Sequence, residues 1–445
     1  MSKKIQKAHS LFPKDLTQLY CLCIEIAQKG DYRPILETVE HDKLYKAIEN
    51  KLILLLGKKS VNRISQNHFS VLRVFPSLDP IEKIKHQQLI TDMLSNELQQ
   101  LIDSYDSKNL FLSRVTIGTA TSGVLYHTKT IEELIELAYF TEFTAKKNKL
   151  PYLIADARIL AEKRDIDEFK AALQHKETLN EFSPFFQPII DLNTQTIIGC
   201  ESYARWLKDS YRIIEATKFK DIAYEMDLLE KIDRIIIDKA LNSFRKFKKQ
   251  HLVPDDFFLV LNISAMTIFS FTANEFIQLL DKYDIEPKYI EFDIRDKHLN
   301  NQILSQKIKE FRESGIRIAL DAFNVEAFDV KSFLQEEIDT IKIDFSIFVK
   351  GNDKLEKQLE FYLSLSKIAK NFHIKTLAKG IEDQYQLSYA KHMGLELAQG
   401  HYFVKPLSES MFKNYLKTYI SGVEMTKMVV EQDQSKIKYS NLFMG

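Results

Sequence analysis

Apolar residues in this chain fall into short runs that are separated by longer amphipathic segments. In the second half, runs of strand length recur between residues 185 and 407, and in order they read FFQPIID, TIIGCESYARW, FFLVLNIS, YIEFDIRD, IRIALDAF, TIKIDFSIF, IKTLAKGIE and LAQGHYFVKPL. Segments between them, such as KLEKQLEFYLSLSKIAK, repeat apolar residues at spacings of three and four, which is typical of amphipathic helices. Strands that alternate with helices over about 240 residues predict a (β/α)8 barrel, here over residues 181–423.

The first part of the chain alternates strand and helix patterns less regularly. Strand-like runs are LYCLCIEI, NHFSVLRVF and SRVTIGTA, and helical patterns include HDKLYKAIENKLILLL and TIEELIELAYFTEFTAKKNK. This order predicts an α/β domain over residues 1–160. Residues 161–180 are charged and helix-forming, so we expect a helical connector there. Residues 424–445 lie beyond the barrel, and we expect a helix followed by a disordered tail.

Composition narrows the function classes. Lys+Arg and Asp+Glu number 62 each, so the net charge is near zero, which argues against bulk electrostatic binding of nucleic acid but does not exclude a local basic patch. Cys21, Cys23 and Cys200 are too few for a disulfide framework, so we expect buried free thiols. No apolar run approaches the roughly 18 residues of a membrane span, and the N-terminus lacks a signal-peptide core. We therefore expect a soluble, cytoplasmic protein.

Polar residues cluster where the apolar runs of the second half end. They are Glu201, Arg205, Asn262, Glu291, Asp321, Lys342, Glu382 and Gln399. The carboxyl ends of barrel strands form one rim, and active sites lie on that rim. Taken singly, each of these residues is better explained as a strand-end residue that caps a helix, but agreement across seven strands favours a shared site. Carboxylates and a carboxamide at one rim predict a site for a hard divalent cation.

The order and spacing of these residues resemble the EAL domain, which is the barrel of cyclic-di-GMP phosphodiesterases. The matching segments are FFQPI (185–189), ESYARW (201–206), NIS (262–264), EFDI (291–294), DAFNVE (321–326), KID (342–344), KGIE (379–382) and QGHYFVKP (399–406). The resemblance covers nearly the whole second half, and it implies an EAL-type (β/α)8 barrel that binds the cyclic dinucleotide.

The first part of the chain resembles a GGDEF (diguanylate cyclase) domain, an α/β domain whose sheet contains antiparallel strands. RISQNHFSVL (63–72) stands in the place of the motif RxGGDEFxxL, and VTIGTA (115–120) and ELAYFTEFTAKKNK (136–149) resemble the later strand and final helix. The two glycines and the acids of the motif are missing from residues 65–68, so cyclase activity is not expected. Glu25 could stand for a metal-binding acid, and His68 is expected to be a surface residue of the hairpin.

The resemblance also implies how metals would bind to the barrel. A first divalent ion would be held by Glu201, Asn262, Glu291 and Asp321, all of which are retained. The second ion of active relatives needs two acids, and their positions are Ala322 and Lys379 here. An ammonium near that position repels a dication, since one charge–charge contact at 4 Å is worth ~4 kcal/mol at an effective dielectric of ~20. Lys379 is expected to pair with Asp321 or Glu382 instead. One divalent cation (Mg²⁺, Mn²⁺ or Ca²⁺) is then the most that the site would hold.

The ligand-binding positions are partly retained. The resemblance assigns Gln187, Arg205 and Gln399 to the dinucleotide, and an arginine fork suits phosphate or guanine. Tyr203 replaces a leucine that packs near a guanine in the family, which is a further departure. Lys342 and Glu382 are expected to be relics of the catalytic set.

These features predict a catalytically inactive GGDEF–EAL regulator of bacterial signalling. Two modes stay open, a cyclic-di-GMP receptor and a scaffold that binds a regulatory protein without the nucleotide. The alternative is a weak phosphodiesterase that uses one metal and gives the linear dinucleotide. It also stays open whether Glu201 binds a cation or only pairs with Lys342 or Lys379. A homodimer is compatible with the resemblance, and nucleic acid is not an expected partner.

Overall fold

The structure of this protein is a computed structural model. It describes residues 16–28, 39–76, 79–105, 113–123, 130–209, 211–295, 302–323, 338–345 and 355–420. The chain divides into two compact units, Met1–Glu168 and Phe169–Gly445. The expected tail, residues 424–445, lies outside the described residues.

The first unit is built on a five-stranded sheet. Its strands are β1 (Leu19–Gln28), β2 (Val61–Arg63), β3 (His68–Val74), β4 (Ser113–Thr121) and β5 (Tyr152–Ile154), in the spatial order β2-β3-β1-β4-β5. Strand β1 pairs antiparallel with both β3 and β4, and β4 pairs parallel with β5. The helices are α1 (Val39–Leu56), α2 (Pro80–Tyr105) and α3 (Ile131–Lys147). A fourth helix, α4 (Ala157–Leu173), begins in this unit and continues past its last residue, Glu168, through part of the predicted connector. An α/β domain whose sheet contains antiparallel strands is thus present, as predicted.

The two faces of this sheet are covered because apolar residues of its central strand, β1, alternate between them. Leu22 and Ile24 of β1 join one apolar cluster with residues of α1 and α2. Cys21 and Cys23 point the other way and pack with residues of α3. All three cysteines of the chain are free and buried, as the composition indicated.

The second unit is a closed barrel of eight strands. They are β6 (Phe182–Asp191), β7 (Ile197–Lys208), β9 (Phe258–Asn262), β10 (Ile290–Arg295), β11 (Arg317–Phe323), β12 (Thr340–Asp344), β13 (Lys375–Lys379) and β14 (Leu397–Gln399). The spatial order is β6-β14-β13-β12-β11-β10-β9-β7, and a β6–β7 pairing closes the ring. Two short strands, β8 (Arg212–Glu215) and β15 (Leu407–Ser408), extend β7 and β6. All eight predicted strands therefore belong to the barrel.

Helices accompany most of these strands. They are α5 (Ala216–Glu225), α6 (Leu229–Lys249), α7 (Ala265–Ser270), α8 (Ala273–Lys282), α9 (Gln302–Glu313), α10 (Leu355–Asn371), α11 (Gln384–His392) and α12 (Glu409–Ile420). Short polar side chains define where several begin. At α8, Thr272 and Glu275 form a reciprocal capping box, which satisfies two backbone N–H groups that the helix leaves free.

The first barrel strand differs from a regular (β/α)8 arrangement. Strand β6 runs antiparallel to both of its neighbours, β7 and β14. The cause is local, because a tight turn and not a helix joins β6 to β7. Asp191 Oδ1 accepts hydrogen bonds from the backbone N–H groups of Asn193 and Thr194 at 2.8 and 2.9 Å, and Asp191 N–H donates to Thr196 O at 2.9 Å. The other strands of the ring pair in parallel, so their carboxyl ends share one rim.

No helix among the described residues is long and apolar enough to cross a membrane.

Candidate functional site

A lysine lies between two carboxylates inside the barrel. Lys342 on β12 donates a hydrogen bond from Nζ to Glu201 Oε2 on β7 at 2.9 Å. The same Nζ lies 2.8 Å from Asp293 Oδ2 on β10. The three side chains expose no surface to solvent. Such a buried set is stable only while it is complete, because the loss of one partner leaves an uncompensated charge.

A second ion pair lies nearer the rim, between β11 and β13. Lys379 Nζ donates a hydrogen bond to Asp321 Oδ1 at 2.6 Å. The two side chains are 26% and 11% exposed, so solvent reaches this pair more easily than Lys342. The sequence offered Asp321 or Glu382 as the partner of Lys379, and in the structure the partner is Asp321.

Asp293, and not Glu291, joins the cluster around Lys342. Both side chains face the barrel interior because they are two residues apart on one strand. In the register of β9 and β10, Asp293 lies opposite Asn262, whereas Glu291 lies opposite Val260, one layer nearer the start of the strands. The expectation that Glu291 belongs with the other proposed ligands therefore differs from the structure, which places Asp293 there.

Glu291 has partners of its own in the lower layer. Thr340 Oγ1 donates to Glu291 Oε2 at 2.9 Å, and Arg317 Nη2 lies 3.6 Å from the same oxygen. The Arg317 guanidinium also lies over the ring of Phe258, 4.1 Å from its centre. Burial raises the pKa of Glu291, although Arg317 opposes that shift. This carboxylate is held within the lower layer by Thr340 and Arg317 and does not lie level with the proposed rim ligands.

The two carboxylates around Lys342 titrate differently. Burial raises the pKa of Glu201, but the ammonium groups of Lys342 and Lys379 outweigh burial and lower it to about 2. Burial is also the largest influence on Asp293, and together with the charges of Glu201 and Asp321 it raises that pKa to about 8 against the pull of Lys342. Neither oxygen of Asp293 accepts a well-aligned hydrogen bond from the described residues. At neutral pH Glu201 is ionised and Asp293 is mostly protonated.

The donor set fits one hard divalent cation and not two. Glu201, Asn262, Asp293 and Asp321 supply carboxylate and amide oxygens. Asn262 already lies against Glu201, since its Nδ2 donates to Glu201 Oε1 at 2.7 Å. With Asp293 protonated, two carboxylates balance the two ammonium groups. A cation that displaces the proton of Asp293 would gain one further negative charge, which one dication more than neutralises. A second dication would lie beside the ammonium of Lys379 and has no acid of its own among the described residues, so it does not fit.

Gln187 on β6 and Gln399 on the neighbouring strand β14 bond to each other. Gln399 Nε2 donates to Gln187 Oε1 at 3.0 Å and to the hydroxyl oxygen of Tyr203 at 3.2 Å. Gln187 Nε2 donates to the carbonyl of Val404 at 2.8 Å. Gln399 Oε1 is buried and accepts no hydrogen bond from the described residues. The structure thus brings three sequence-identified positions together, and Tyr203 is tied to a glutamine that the resemblance assigned to a ligand.

Arg205 is mostly buried along its stem, and its guanidinium has only weak partners. Its Nη1 donates to the carbonyl of Ala204 at 3.0 Å, and its Nη2 lies 3.7 Å from Glu215, a side chain that is 65% exposed. The guanidinium also lies 5.7 and 5.9 Å from the ring centres of Tyr203 and Phe185. Burial lowers the pKa of Arg205. A ligand anion would replace the weak contact with Glu215 at little cost.

Two further predicted positions stand apart from this cluster. The Glu382 carboxylate is 55% exposed and lies 3.3 Å from His401 Nδ1. Ala322 lies on β11, and its side chain is outside the described residues. Sequence reasoning missed Asp293 and Glu215. The alternation of polar residues along IEFDIR marked both Glu291 and Asp293 as interior, and only the register with Asn262 distinguishes them.

Comparison with known proteins identifies the barrel. Residues 170–406, more than half of the chain, match the EAL domain family. A protein named "Probable cyclic di-GMP phosphodiesterase PdeI" of Escherichia coli (strain K12) is 26% identical over 238 residues, which is 53% of this chain and 30% of the relative. The "Uncharacterized protein y4lL" of Sinorhizobium fredii is 24% identical over 408 residues, 90% of this chain and 47% of the relative. The chain thus spans less than half the length of these curated relatives.

Solved structures agree on the fold. A structure of the EAL enzyme Bd1971 bound to cAMP and cyclic-di-GMP covers 91% of this chain and 97% of its own, with a TM-score of 0.51 and 19% identity. The PaMucR phosphodiesterase in complex with c-di-GMP covers 55% of this chain and 99% of its own, with a TM-score of 0.50 and 16% identity. The barrel topology, the retained motif residues and the family match agree, and this chain belongs to the EAL domain family.

Proposed function

We propose that this protein is a regulator in cyclic-di-GMP signalling whose EAL barrel binds the dinucleotide but does not hydrolyse it by two-metal chemistry. The observation that carries the proposal is the 2.6 Å ion pair between Lys379 and Asp321. Two-metal hydrolysis requires two adjacent cations that clamp the phosphate and activate water. According to the resemblance, both ions would share the carboxylate of Asp321. In this protein the ammonium of Lys379 is bonded to that carboxylate.

Charge balance supports binding of an anionic ligand without a metal pair. Three carboxylates near the rim would repel the two phosphates of the dinucleotide. Lys342 and Lys379 neutralise two of them, and the raised pKa of Asp293, about 8, keeps the third mostly neutral at pH 7. The lysines thereby take over the charge compensation that divalent ions would supply. One divalent cation at Glu201, Asn262, Asp293 and Asp321 remains compatible with this donor set.

Retained polar groups favour recognition of the nucleotide itself. Arg205 has a guanidinium whose acidic contact at 3.7 Å is exposed and easily exchanged. Bidentate arginine–phosphate hydrogen bonds are stronger than such a contact. Gln399 Oε1 has no donor among the described residues, so a guanine N–H group would satisfy it. A scaffold that does not bind the nucleotide would not need the guanidinium of Arg205 or the free amide oxygen of Gln399.

We also propose that the first unit is a degenerate GGDEF-like domain. Support comes from its hairpin, in which β2 and β3 pair antiparallel around residues 64–67, where the motif would lie. Arg63 holds the turn through hydrogen bonds from Nη2 and Nε to the carbonyl of Gln66 at 2.6 and 3.2 Å. A turn fixed by side chains and lacking the motif glycines is suited to structure and not to close approach of a nucleotide.

The test is calorimetric titration of cyclic-di-GMP into the full chain, once with excess chelator and once with Mg²⁺ or Ca²⁺. The same samples are then separated to identify the nucleotide. Micromolar binding in both conditions with intact dinucleotide is the expected result, and R205A should weaken it at least tenfold, about 1.4 kcal/mol. No binding at high protein concentration would overturn the receptor and favour the protein-binding scaffold.

The second candidate is a weak phosphodiesterase that uses one metal. The retained donors and the buried Lys342, which could orient a water molecule, favour it. Linear dinucleotide that forms with a divalent ion and not with chelator would establish this activity and contradict the inactive receptor. D293N in the same assay, which removes a proposed metal ligand, checks that the product comes from this site.

A further inference from the structure

Glu25, His68 and Glu142 meet in the first unit from three different elements. Glu25 lies on β1, His68 begins β3, and Glu142 lies on α3. One ligand atom from each residue lies within 4.8 Å of the other two. His68 Nε2 is 3.6 Å from Glu142 Oε2 and 3.9 Å from Glu25 Oε1. Within the described part of the chain, no other group of three or more His, Cys, Asp or Glu residues comes together this closely.

The backbone holds these residues in place. Glu25 and His68 are direct partners in the antiparallel register of β1 and β3. On the other side of β1, Gly118 of β4 makes room for α3, since a Cβ at this position would lie 1.9 Å from Glu142 N. The helix can therefore approach the sheet at Glu142, and its carboxylate enters a buried position beside the two strand residues. The cluster is a product of the fold and not of chance encounters on a surface.

One carboxylate oxygen of Glu142 lacks a partner among the described residues. Its side chain is 2% exposed, and Oε1 accepts no hydrogen bond from the described residues. A buried ionised oxygen without a donor is costly unless a cation or a proton compensates it. This oxygen without a donor is a second observation, independent of the clustering, that favours a bound cation.

One ammonium group near this cluster, that of Lys146, does not neutralise both carboxylates. Lys146 Nζ lies 2.7 Å from both oxygens of Glu25, so its charge serves that carboxylate. Two ionised carboxylates and one ammonium leave one negative charge at this cluster. Lys146 is 46% exposed, so its end can turn to solvent when another cation binds to Glu25.

We propose that Glu25, His68 and Glu142 form a binding site for a divalent transition-metal ion, and that Zn²⁺ suits the donor set best. One imidazole nitrogen and two carboxylate oxygens are zinc ligands, and three protein ligands leave the fourth position for water. The imidazole disfavours Mg²⁺ and Ca²⁺, which prefer oxygen. Zinc ligands lie about 2 Å from the ion, so the three ligand atoms must come closer together than they are in the structure. Rotation of the His68 and Glu25 side chains would bring them closer. Cys23 is excluded as a ligand, since its neutral thiol donates to the carbonyl of Ile135.

The experiment uses the full, tag-free chain after chelator treatment, with Zn²⁺ alone as the probe. A competition titration against a zinc-binding dye and metal analysis after desalting measure affinity and stoichiometry. One zinc per chain is expected, together with a zinc-dependent rise in the unfolding midpoint. H68A and E142Q should lose both effects, and K146M should bind zinc more tightly because a competing cation is gone.

Matched variants locate the metal. H86A removes another histidine of the same unit, C23S removes the nearest thiol, and D321N alters the barrel cluster; all three should keep one zinc. X-ray absorption should show nitrogen and oxygen ligands and no sulfur. Absence of stoichiometric zinc in the wild type, or unchanged binding in H68A and E142Q, overturns the site. If E142Q fails to fold, H68A decides, because its side chain is 17% exposed and its removal leaves the core intact.

Discussion

Lys379 Nζ lies 2.6 Å from Asp321 Oδ1, and the pair joins β13 to β11 across the intervening strand β12. In an EAL barrel with two metal ions, the position of this ammonium would belong to an acid, according to the sequence resemblance. Under the proposed function, this pair takes the place of metal coordination with a fixed internal cation. Its presence has consequences for stability and for activity that can be measured separately.

The Lys379–Asp321 pair should contribute to stability. K379M leaves Asp321, a side chain that is 11% exposed, without its cation. We expect a loss of about 1–3 kcal/mol in the free energy of unfolding, measured in urea. The double variant D321N/K379M should recover much of the loss. K375M, at the exposed start of the same strand, is the matched control and should change stability by less than about 0.5 kcal/mol. Equal effects of K379M and K375M would contradict the importance of the pair.

Restoring two acids should restore metal-dependent hydrolysis. The double variant A322D/K379E supplies the acids that the family uses at these positions. We expect divalent-dependent cleavage of cyclic-di-GMP to rise at least tenfold above wild type, about 1.4 kcal/mol of barrier. K379M, which removes the ammonium without adding an acid, should remain inactive. Wild-type protein that already cleaves as fast as A322D/K379E would show that the ammonium does not block the reaction.

Lys342 should be essential for the folded barrel. Its removal in K342M strands the ionised Glu201 in a position without solvent, so we expect a loss of about 3–5 kcal/mol. E201Q/K342M should be more stable than K342M because the unpaired charge is also removed. Urea unfolding of the three proteins at pH 7 measures both effects. If K342M loses little free energy of unfolding, or if E201Q/K342M is less stable than K342M, water or another group compensates the charge of Glu201.

The sequence was sufficient for the barrel because its strands are apolar runs with distinct motif residues. The antiparallel direction of β6 was not apparent, although DLNTQT (191–196) carries the turn-forming residues that cause it. Motif spacing also located the charged rim and left Asp321 or Glu382 as the partner of Lys379, between which the structure decides. The choice between Glu291 and Asp293 could not be made, because both obey the same alternation and only three-dimensional register separates them. Glu142 gave no signal at all, since it occupies an ordinary helix position and its burial depends on the contact of α3 with Gly118.

Asp293 should make the barrel less stable as the pH rises. Its folded-state pKa of about 8 lies above the ordinary value of 3.8, so the folded protein binds more protons than the unfolded chain between these values. The free energy of unfolding therefore falls as the pH rises from about 4 to about 8. Glu201, with a pKa lowered from 4.5 to about 2, acts in the opposite sense and only at lower pH. In D293N the decline between pH 5 and 8 should be shallower than in wild type, as urea unfolding would measure. If the free energies of unfolding of wild type and D293N change in parallel between pH 5 and 8, Asp293 is ionised throughout that range.

Divalent cation binding at the barrel should depend on Asp293 and not on Glu291. Asp293 lies level with Asn262 and beside Lys342, whereas Glu291 lies one layer lower against Arg317. Mn²⁺ titration of chains that all carry H68A, so that the first unit does not contribute, isolates the barrel. We expect D293N to weaken binding at least tenfold, about 1.4 kcal/mol, and E291Q to leave it within a factor of two or so. The pair of variants is matched in chemistry, since each exchanges an interior carboxylate of β10 for its amide. Loss of binding in E291Q with retention in D293N would return Glu291 to the ligand set and reverse the assignment from register.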